Sequence, residues 1–270
     1  MAQFQYALNA STIRPTPLLE KVRIASEVGY SGIELWHDDI DRYLASGGTL
    51  TDLRFVLDKY HLGVPTTIYL GGWFEASELE YLSVFAECRR RMEQAVALGA
   101  PYVIAGPPAG LADFETGVLR YRELLGLGGE LGVYPAMEFL GFVEQLNTIE
   151  DALAVIDRSG HPSATTVLDP FHIFRGGDSV ESIRKLASTQ IAVSHFNDVP
   201  LLPAREQQCD SDRVMPGEGV FDLHRYLELL RSIGYEGWLS LELFRDDLWQ
   251  LDPIEVAGLG LEKMRRIAEG

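Results

Sequence analysis

The stretch VYPAMEFLGFVEQLNTIED, residues 133–151, changes pattern twice within nineteen residues. Residues 133–139 are mostly apolar, which is typical of a buried strand. A polar loop follows, and then Thr148 precedes acidic residues, an arrangement typical of a helix N-terminus. Glu138 lies inside the apolar run, where a carboxylate needs a specific partner. The stretch therefore predicts one strand–loop–helix unit with an ionisable group at the end of its strand.

The same unit recurs along the whole chain. We predict strands over FQYALN (4–9), GIELW (32–36), VPTTIY (64–69), YVIAG (102–106), VYPAMEF (133–139), TTVLD (165–169), IAVSHF (191–196) and WLSLEL (238–243). We predict helices over residues 16–29, 49–61, 77–98, 115–131, 149–159, 178–188, 221–233 and 253–268. The helix over 115–131 has the weakest pattern, because Gly126, Gly128 and Gly129 each lower helix propensity.

Eight strand–helix units predict an α/β fold, a (β/α)8 TIM barrel forming a single domain over residues 1–270. A doubly wound open sheet shows the same alternation. The barrel is favoured by the number of units and by the lack of a Gly-x-Gly-x-x-Gly motif after the first strand. The longest loop, residues 198–219, follows the seventh strand, and loops of this length are often functional.

Charge and composition limit the classes of partner. The net charge is −17, from 23 Lys and Arg against 40 Asp and Glu, which disfavours nucleic acid and anionic membranes as partners. Only two cysteines, Cys88 and Cys209, are present, which indicates a reducing compartment. The N-terminus lacks a signal-peptide pattern, and no apolar run approaches the ~18 residues that span a bilayer. We therefore predict a cytoplasmic protein.

Four ionisable side chains end consecutive strands: Glu138, Asp169, His195 and Glu242. In a barrel, the carboxyl ends of the strands meet at the face that carries the chemistry. Any one of these residues alone would more often cap a helix or pair with a surface lysine, but four in succession indicate a shared cause. Three carboxylates held together repel one another, and a divalent cation compensates them. Three oxygen donors and one imidazole suit Mn²⁺ or Mg²⁺, with Co²⁺ or Zn²⁺ as alternatives.

Five segments include or flank these residues: EFLG (138–141), NTIE (147–150), DPFHIFRGG (169–177), HFNDVP (195–200) and DRVMPGEGVFDL (212–223). In these segments the chain resembles the xylose isomerase-like barrel family of sugar isomerases and epimerases, especially its inosose (2-keto-myo-inositol) isomerase branch. The N-terminal half is similar in its strand–helix order and in GYSGIELW, residues 29–36.

The resemblance implies roles for individual residues. The four strand-end residues fall on the metal ligands of the family, and Glu138 and Glu242 also fall on its acid/base pair. His172 and Arg213 match residues that contact the substrate. Glu144 matches a glutamate of the ketose epimerases that either contacts the substrate or lies behind the residues that do. On sequence alone, a surface arginine that caps Asp210 or Asp212 explains Arg213 equally well.

Aromatic side chains near strand ends are candidates for a wall against the sugar. They are Trp36, Trp73, Phe74, Phe139, Phe171 and Trp249. Most aromatic residues in a barrel pack between strands and helices, so we expect only one or two to line the pocket. His37, directly after the second strand, is a further candidate for a polar contact with the substrate.

The resemblance implies an isomerase or epimerase that moves a proton through a metal-stabilised enediolate of a keto-sugar or keto-polyol. No glycine-rich phosphate cradle or lysine cluster is apparent, which favours a neutral substrate. A metal-dependent dehydratase of the dehydroshikimate or inosose type remains an alternative. An abasic-site endonuclease is disfavoured by the net charge and the lack of extra histidines at strands three and four. A non-catalytic sugar-binding barrel would hold no metal. A homo-oligomer is left open, since members of the family are often dimers or tetramers.

Overall fold

Eight parallel strands close into a barrel in the order of the chain, which confirms the predicted fold. The computed structural model describes residues 4–270, so residues 1–3 of the predicted domain lie outside the described part. The strands are β1 (Gln5–Asn9), β2 (Gly32–Trp36), β3 (Thr66–Leu70), β4 (Tyr102–Ala105), β5 (Tyr134–Met137), β6 (Thr165–Leu168), β7 (Ile191–His195) and β8 (Trp238–Leu241). Since β1 also pairs with β8, the sheet leaves no open edge.

Nine α-helices surround the barrel within residues 4–270. They are α1 (Leu18–Val28), α2 (His37–Ala45), α3 (Leu50–Lys59), α4 (Glu78–Leu98), α5 (Phe114–Leu131), α6 (Ile149–Ser159), α7 (Pro170–Gly176), α8 (Leu223–Ser232) and α9 (Pro253–Glu269). Across this part of the chain, no helix has both the length and the apolar composition that crossing a membrane requires.

The predicted helix over 178–188 is wrong in type. The segment forms two short 3-10 helices, Val180–Lys185 and Ser188–Gln190. The side chain of Ser179 caps the first of them, but Leu186 is already extended, so too few residues remain for an α-helix. Two helices were not predicted, α2 and α7. Helix α7 has a readable start, because Asp169 caps it and Pro170 occupies its first turn.

Helix α5 is continuous despite Gly126, Gly128 and Gly129 near its C-terminal end. Gly128 is buried, and a Cβ atom there would lie 2.5 Å from the carbonyl oxygen of Val133. Gly126 faces open space. Gly128 therefore allows the turn after α5 to pass close to the helix, whereas Gly126 has no comparable packing reason.

The barrel interior is apolar towards one end and polar at the other. A small interior cluster consists of Ile68, Ile104, Ala136, Val167, Ala192 and Val193. Trp238 extends under β2, since a Cβ atom at Gly32 would lie 2.6 Å from its ring. The much larger apolar core fills the layer between the strands and the helices. Ionisable side chains are thus concentrated at the carboxyl ends of the strands, where the site described below is built.

Gly126 and Gly128 of α5 provide a matched test of packing. We expect Gly126→Ala to stabilise the protein by up to about 1 kcal/mol, because alanine is the better helix former and the added methyl group meets no atom. Gly128→Ala should destabilise it by about 1–3 kcal/mol, because its methyl group overlaps backbone. Chemical denaturation of both variants measures the two changes, and equal effects would contradict this account of α5.

Candidate active site

Three of the four strand-end residues, Glu138, Asp169 and Glu242, lie around the imidazole of the fourth, His195. Its Nδ1 atom is 3.1 Å from Glu242 Oε2, 3.5 Å from Asp169 Oδ2 and 3.8 Å from Glu138 Oε1. Asp169, His195 and Glu242 each offer one ligand atom, and these atoms lie within 4.8 Å of one another. The structure therefore brings three of the four predicted ligands within reach of one ion, and the fourth, Glu138, lies beside them.

Asp169 uses its two oxygens for different purposes. Oδ1 accepts hydrogen bonds from the backbone N–H of Phe171 at 2.7 Å and from Asn197 Nδ2 at 3.0 Å. Oδ2 faces His195 and accepts a hydrogen bond from Arg213 Nη2 at 3.1 Å. The start of α7 thus fixes the carboxylate, and one oxygen remains directed into the site.

Arg213 is buried, with its side chain 1% exposed, so it is not the surface arginine of the alternative reading. Its guanidinium pairs with Asp210, as that reading expected, but it also donates to His172 Nε2 at 2.8 Å and lies 3.5 Å from Glu242. The guanidinium stacks against the rings of Phe171 and Phe244. One cation therefore bridges several acidic groups of the site.

Negative charge exceeds positive charge in this buried region. Burial raises the pKa of Glu138 to about 8, and repulsion from Glu242 and Asp169 adds to the effect. Burial also raises the pKa of Glu242. Burial would raise the pKa of Asp169 too, but Arg213 and the two neighbouring histidines together outweigh it and hold that pKa well below its usual range. Holding all these carboxylates ionised together requires more positive charge than Arg213 supplies.

The residues present fit a divalent cation. Both ring nitrogens of His195 are buried without a well-formed hydrogen bond, although carboxylate oxygens surround the ring. Burial would lower the pKa of His195, but Glu242 and Glu34 outweigh it and raise that pKa well above its usual value. Carboxylate oxygens and one imidazole nitrogen are suitable ligands for such an ion.

A cavity of about 380 Å³ opens above these residues. Its lining includes Glu138, Glu242, His172, Arg213 and Trp36 among the predicted site residues. Tyr69, Phe142 and Phe244 supply further aromatic surface. Of the six aromatic residues proposed from the sequence, Trp36 lines the cavity, and the other five do not belong to its lining.

The structure does not bring His37 and Glu144 to the cavity. His37 is the first residue of α2, and its buried ring lies 2.7 Å from Gln94 of α4. Burial lowers the pKa of His37 to about 4. Glu144 is exposed in the loop after β5 and does not belong to the lining. Neither residue reaches the cavity, because His37 packs against α4 and Glu144 lies well beyond the end of β5.

Two buried polar residues of this region were not predicted, Asn9 and Glu34. Glu34 Oε2 lies 3.3 Å from His195 Nε2. Asn9 Nδ2 donates to Glu34 Oε2 at 3.2 Å and to Glu242 Oε1 at 2.9 Å. The signal was available, because Glu34 interrupts the apolar strand GIELW as Glu138 interrupts its own strand. Asn9 and Glu34 are also paired in the strand register.

Asp198 fixes the long loop that carries Arg213. Its buried carboxylate accepts hydrogen bonds from four backbone N–H groups, those of Val199, Gly217, Gly219 and Phe221, at 2.8–3.1 Å. Its own backbone forms an isolated bridge with Val214, next to Arg213. The Asp198 side chain therefore connects the beginning and the end of the loop, and this connection holds Arg213 in the site.

We expect Asp198→Ala to destabilise the protein by about 2–4 kcal/mol, because several N–H groups lose their acceptor. Amide hydrogen exchange should accelerate within residues 199–221, and chemical denaturation measures the loss of stability. Asp246→Ala, an exposed position in the loop after β8, is the matched control and should change neither quantity. Unchanged exchange in Asp198→Ala would show that the loop is held by other contacts.

Known proteins resemble this chain over nearly all of its length. Residues 22–267 match the family described as Xylose isomerase-like TIM barrel. An inosose isomerase from Halalkalibacterium halodurans is 28% identical over 254 residues, which is 91% of this chain and 89% of that protein. A 3-dehydroshikimate dehydratase from Pseudomonas aeruginosa is 28% identical over 85% of this chain and 36% of that protein. The crystal structure of the IolI protein with a bound zinc atom superimposes with a TM-score of 0.93, at 25% identity over 98% of each chain. The chain therefore belongs to the xylose isomerase-like TIM barrel family.

Proposed function

We propose that this protein is a divalent-metal-dependent isomerase or epimerase of a neutral keto-sugar or keto-polyol, with an inosose as the first candidate. The observation that carries the proposal is the convergence of Glu138, Asp169, His195 and Glu242 beside the cavity. Its curated relatives include inosose isomerases, which supports an isomerase acting on sugars or polyols. The zinc atom in the IolI structure supports a metal ion in this fold.

The metal ion would be held by Asp169, His195 and Glu242, with Glu138 completing the set on the cavity side. When bound, a divalent ion polarises a substrate carbonyl and stabilises the negative charge that develops on its oxygen. The chain prepares these ligands in advance. Asn197 and Arg213 orient Asp169, and Asn9 holds one oxygen of Glu242 so that the other faces His195.

Glu138 and Glu242 are the proposed proton-transfer pair, since both carboxyl groups line the cavity. Burial raises the pKa of Glu138, and a carboxylate with a raised pKa is a stronger base towards a proton on a carbon atom next to a carbonyl group. The opposite carboxyl group would return a proton. His172 and Arg213 lie at the same wall, where the guanidinium is placed to donate to substrate oxygens.

The charges of the lining favour a neutral substrate over a carboxylated or phosphorylated one. Among residues 4–270, Arg213 is the one arginine or lysine in the lining, and Asp169, Asp210 and Glu242 already share it. Glu75 and Asp210 add negative charge to the wall. A substrate carboxylate, as in 3-dehydroshikimate, would lack a free cation to pair with. The same feature makes the dehydratase activity the weaker candidate.

Incubation with inososes and ketoses in deuterated water tests the proposed reaction. Protein loaded with Mn²⁺ should convert at least one neutral ketone, while protein stripped with EDTA should be inactive until Mn²⁺ is restored. The products should carry deuterium next to the carbonyl carbon, observed by NMR after removal of Mn²⁺. A product that has lost water, with a new ultraviolet absorption, would instead show a dehydratase, and retained activity without metal would contradict metal dependence.

Glu138→Gln should lower kcat by roughly 10²–10⁴-fold on the converted substrate, because an amide cannot take up the proton. Glu236→Gln is the matched control, since Glu236 is exposed just before β8, at the opposite end of the barrel. Thermal unfolding and metal content should be recorded for both variants to separate chemistry from folding. Full activity in Glu138→Gln would remove Glu138 from the mechanism.

A further inference from the structure

Glu34 is buried on β2, a strand that supplies none of the proposed metal ligands. Its carboxylate accepts hydrogen bonds from Thr66 Oγ1 and from Asn9 Nδ2, and it lies 3.3 Å from His195 Nε2. Burying an ionised carboxylate is costly unless its partners compensate the lost hydration. The proton-transfer pair proposed above does not use Glu34, so its position needs a separate explanation.

The two nitrogens of His195 face different surroundings. Nδ1 faces Glu242, Asp169 and Glu138. Nε2 faces Glu34. A neutral imidazole carries its proton on one nitrogen, and only the other has a lone pair for a metal ion. The tautomer of His195 therefore decides whether the nitrogen on the cavity side is able to bind an ion.

We propose that Glu34 is a positioning residue that keeps the proton of His195 on Nε2 and leaves the lone pair of Nδ1 for the metal ion. The inference rests on the proposed metal site and adds a residue that contacts one of its ligands. Thr66 and Asn9 both donate to the Glu34 carboxylate. An ionised carboxylate has no proton to donate, so Glu34 acts only as an acceptor towards His195, which requires an N–H at Nε2.

Asn9 reinforces this arrangement because its own orientation is determined. Its Oδ1 accepts hydrogen bonds from Trp36 Nε1 at 2.9 Å and from the backbone N–H of Ser11 at 3.0 Å. The amide nitrogen must therefore face the two carboxylates, Glu34 and Glu242. One polar network on β1, β2 and β3 thus orients a ligand on β7 and a ligand beyond β8. The same network reaches Trp36 in the cavity wall.

Substitutions at Glu34 separate its acceptor role from its charge. Glu34→Leu removes the acceptor, and we expect the affinity for Zn²⁺ to fall by roughly 10–100-fold, the usual effect of losing a partner of a ligating histidine. Glu34→Gln keeps one carbonyl oxygen that accepts from Nε2–H, so its affinity should lie between those of Glu34→Leu and the unchanged protein. Glu236→Leu, the same change on the exposed surface, should leave the affinity unchanged.

The test uses the full chain loaded with Zn²⁺, which is diamagnetic and permits NMR. Affinity is measured by competition with a chromophoric chelator, and thermal unfolding of the metal-free forms checks folding. In protein with ¹⁵N-labelled histidine, His195 should show a protonated Nε2 and a metal-bound Nδ1. Coordination through Nε2, or wild-type affinity in Glu34→Leu, would overturn the role of Glu34.

These measurements need no substrate, so their outcome does not depend on whether the proposed reaction is correct. A protein that passes them but converts no ketone refutes the isomerase function and leaves the role of Glu34 intact. An active metal-dependent isomerase in which Glu34→Leu binds Zn²⁺ normally refutes the role of Glu34 alone. A wild-type protein that takes up no zinc at His195 overturns the metal site and the role of Glu34 together.

Discussion

The crowding of carboxylates around one imidazole is the constraint on which the carboxyl end of this barrel depends. His195 has Glu242, Asp169 and Glu138 near one ring nitrogen and Glu34 near the other. Such a cluster is unfavourable in a buried region unless cations and hydrogen-bond donors compensate it. Arg213 compensates part of it from the long loop. The remaining negative charge is what makes a divalent ion a fitting partner.

The two halves of the barrel contribute different residues to the site. Strands β5 to β8 and the residues just after them provide the proposed ligands, while β1 to β3 provide polar side chains that orient those ligands. The closure between β1 and β8 makes this possible, because it places Asn9 beside Glu242 although 233 residues separate them in the chain. The small apolar cluster inside the barrel packs below these polar side chains, and the ring of Trp238 packs against Gly32 of β2.

The sequence was sufficient for the fold and for the convergence of the strand-end residues, because both follow from a repeating pattern. All strands of the barrel run in the same direction, so their last residues lie at the same end of it. An ionisable residue at the end of a strand is therefore located at that end without knowledge of the packing. His37 and Glu144 show where this reasoning stops. They lie beyond the strand ends, where the direction of a side chain depends on the turn and on the neighbouring helix. Glu34 was not predicted, although it interrupts an apolar strand, because it lies inside β2 and not at its end.

Burial distinguishes the members of the cluster in a way that bears on their roles. The side chains of Asp169, His195 and Glu242 are at most 5% exposed, whereas that of Glu138 is 12% exposed and lies farthest from His195 Nδ1 among the three carboxylates on that side. A fixed ligand benefits from a rigid and enclosed position, and a proton acceptor must reach the substrate. Asp169 is held by three donors, from Phe171, Asn197 and Arg213. The difference supports the proposal that Glu138 exchanges the proton while the three enclosed residues chiefly hold the ion.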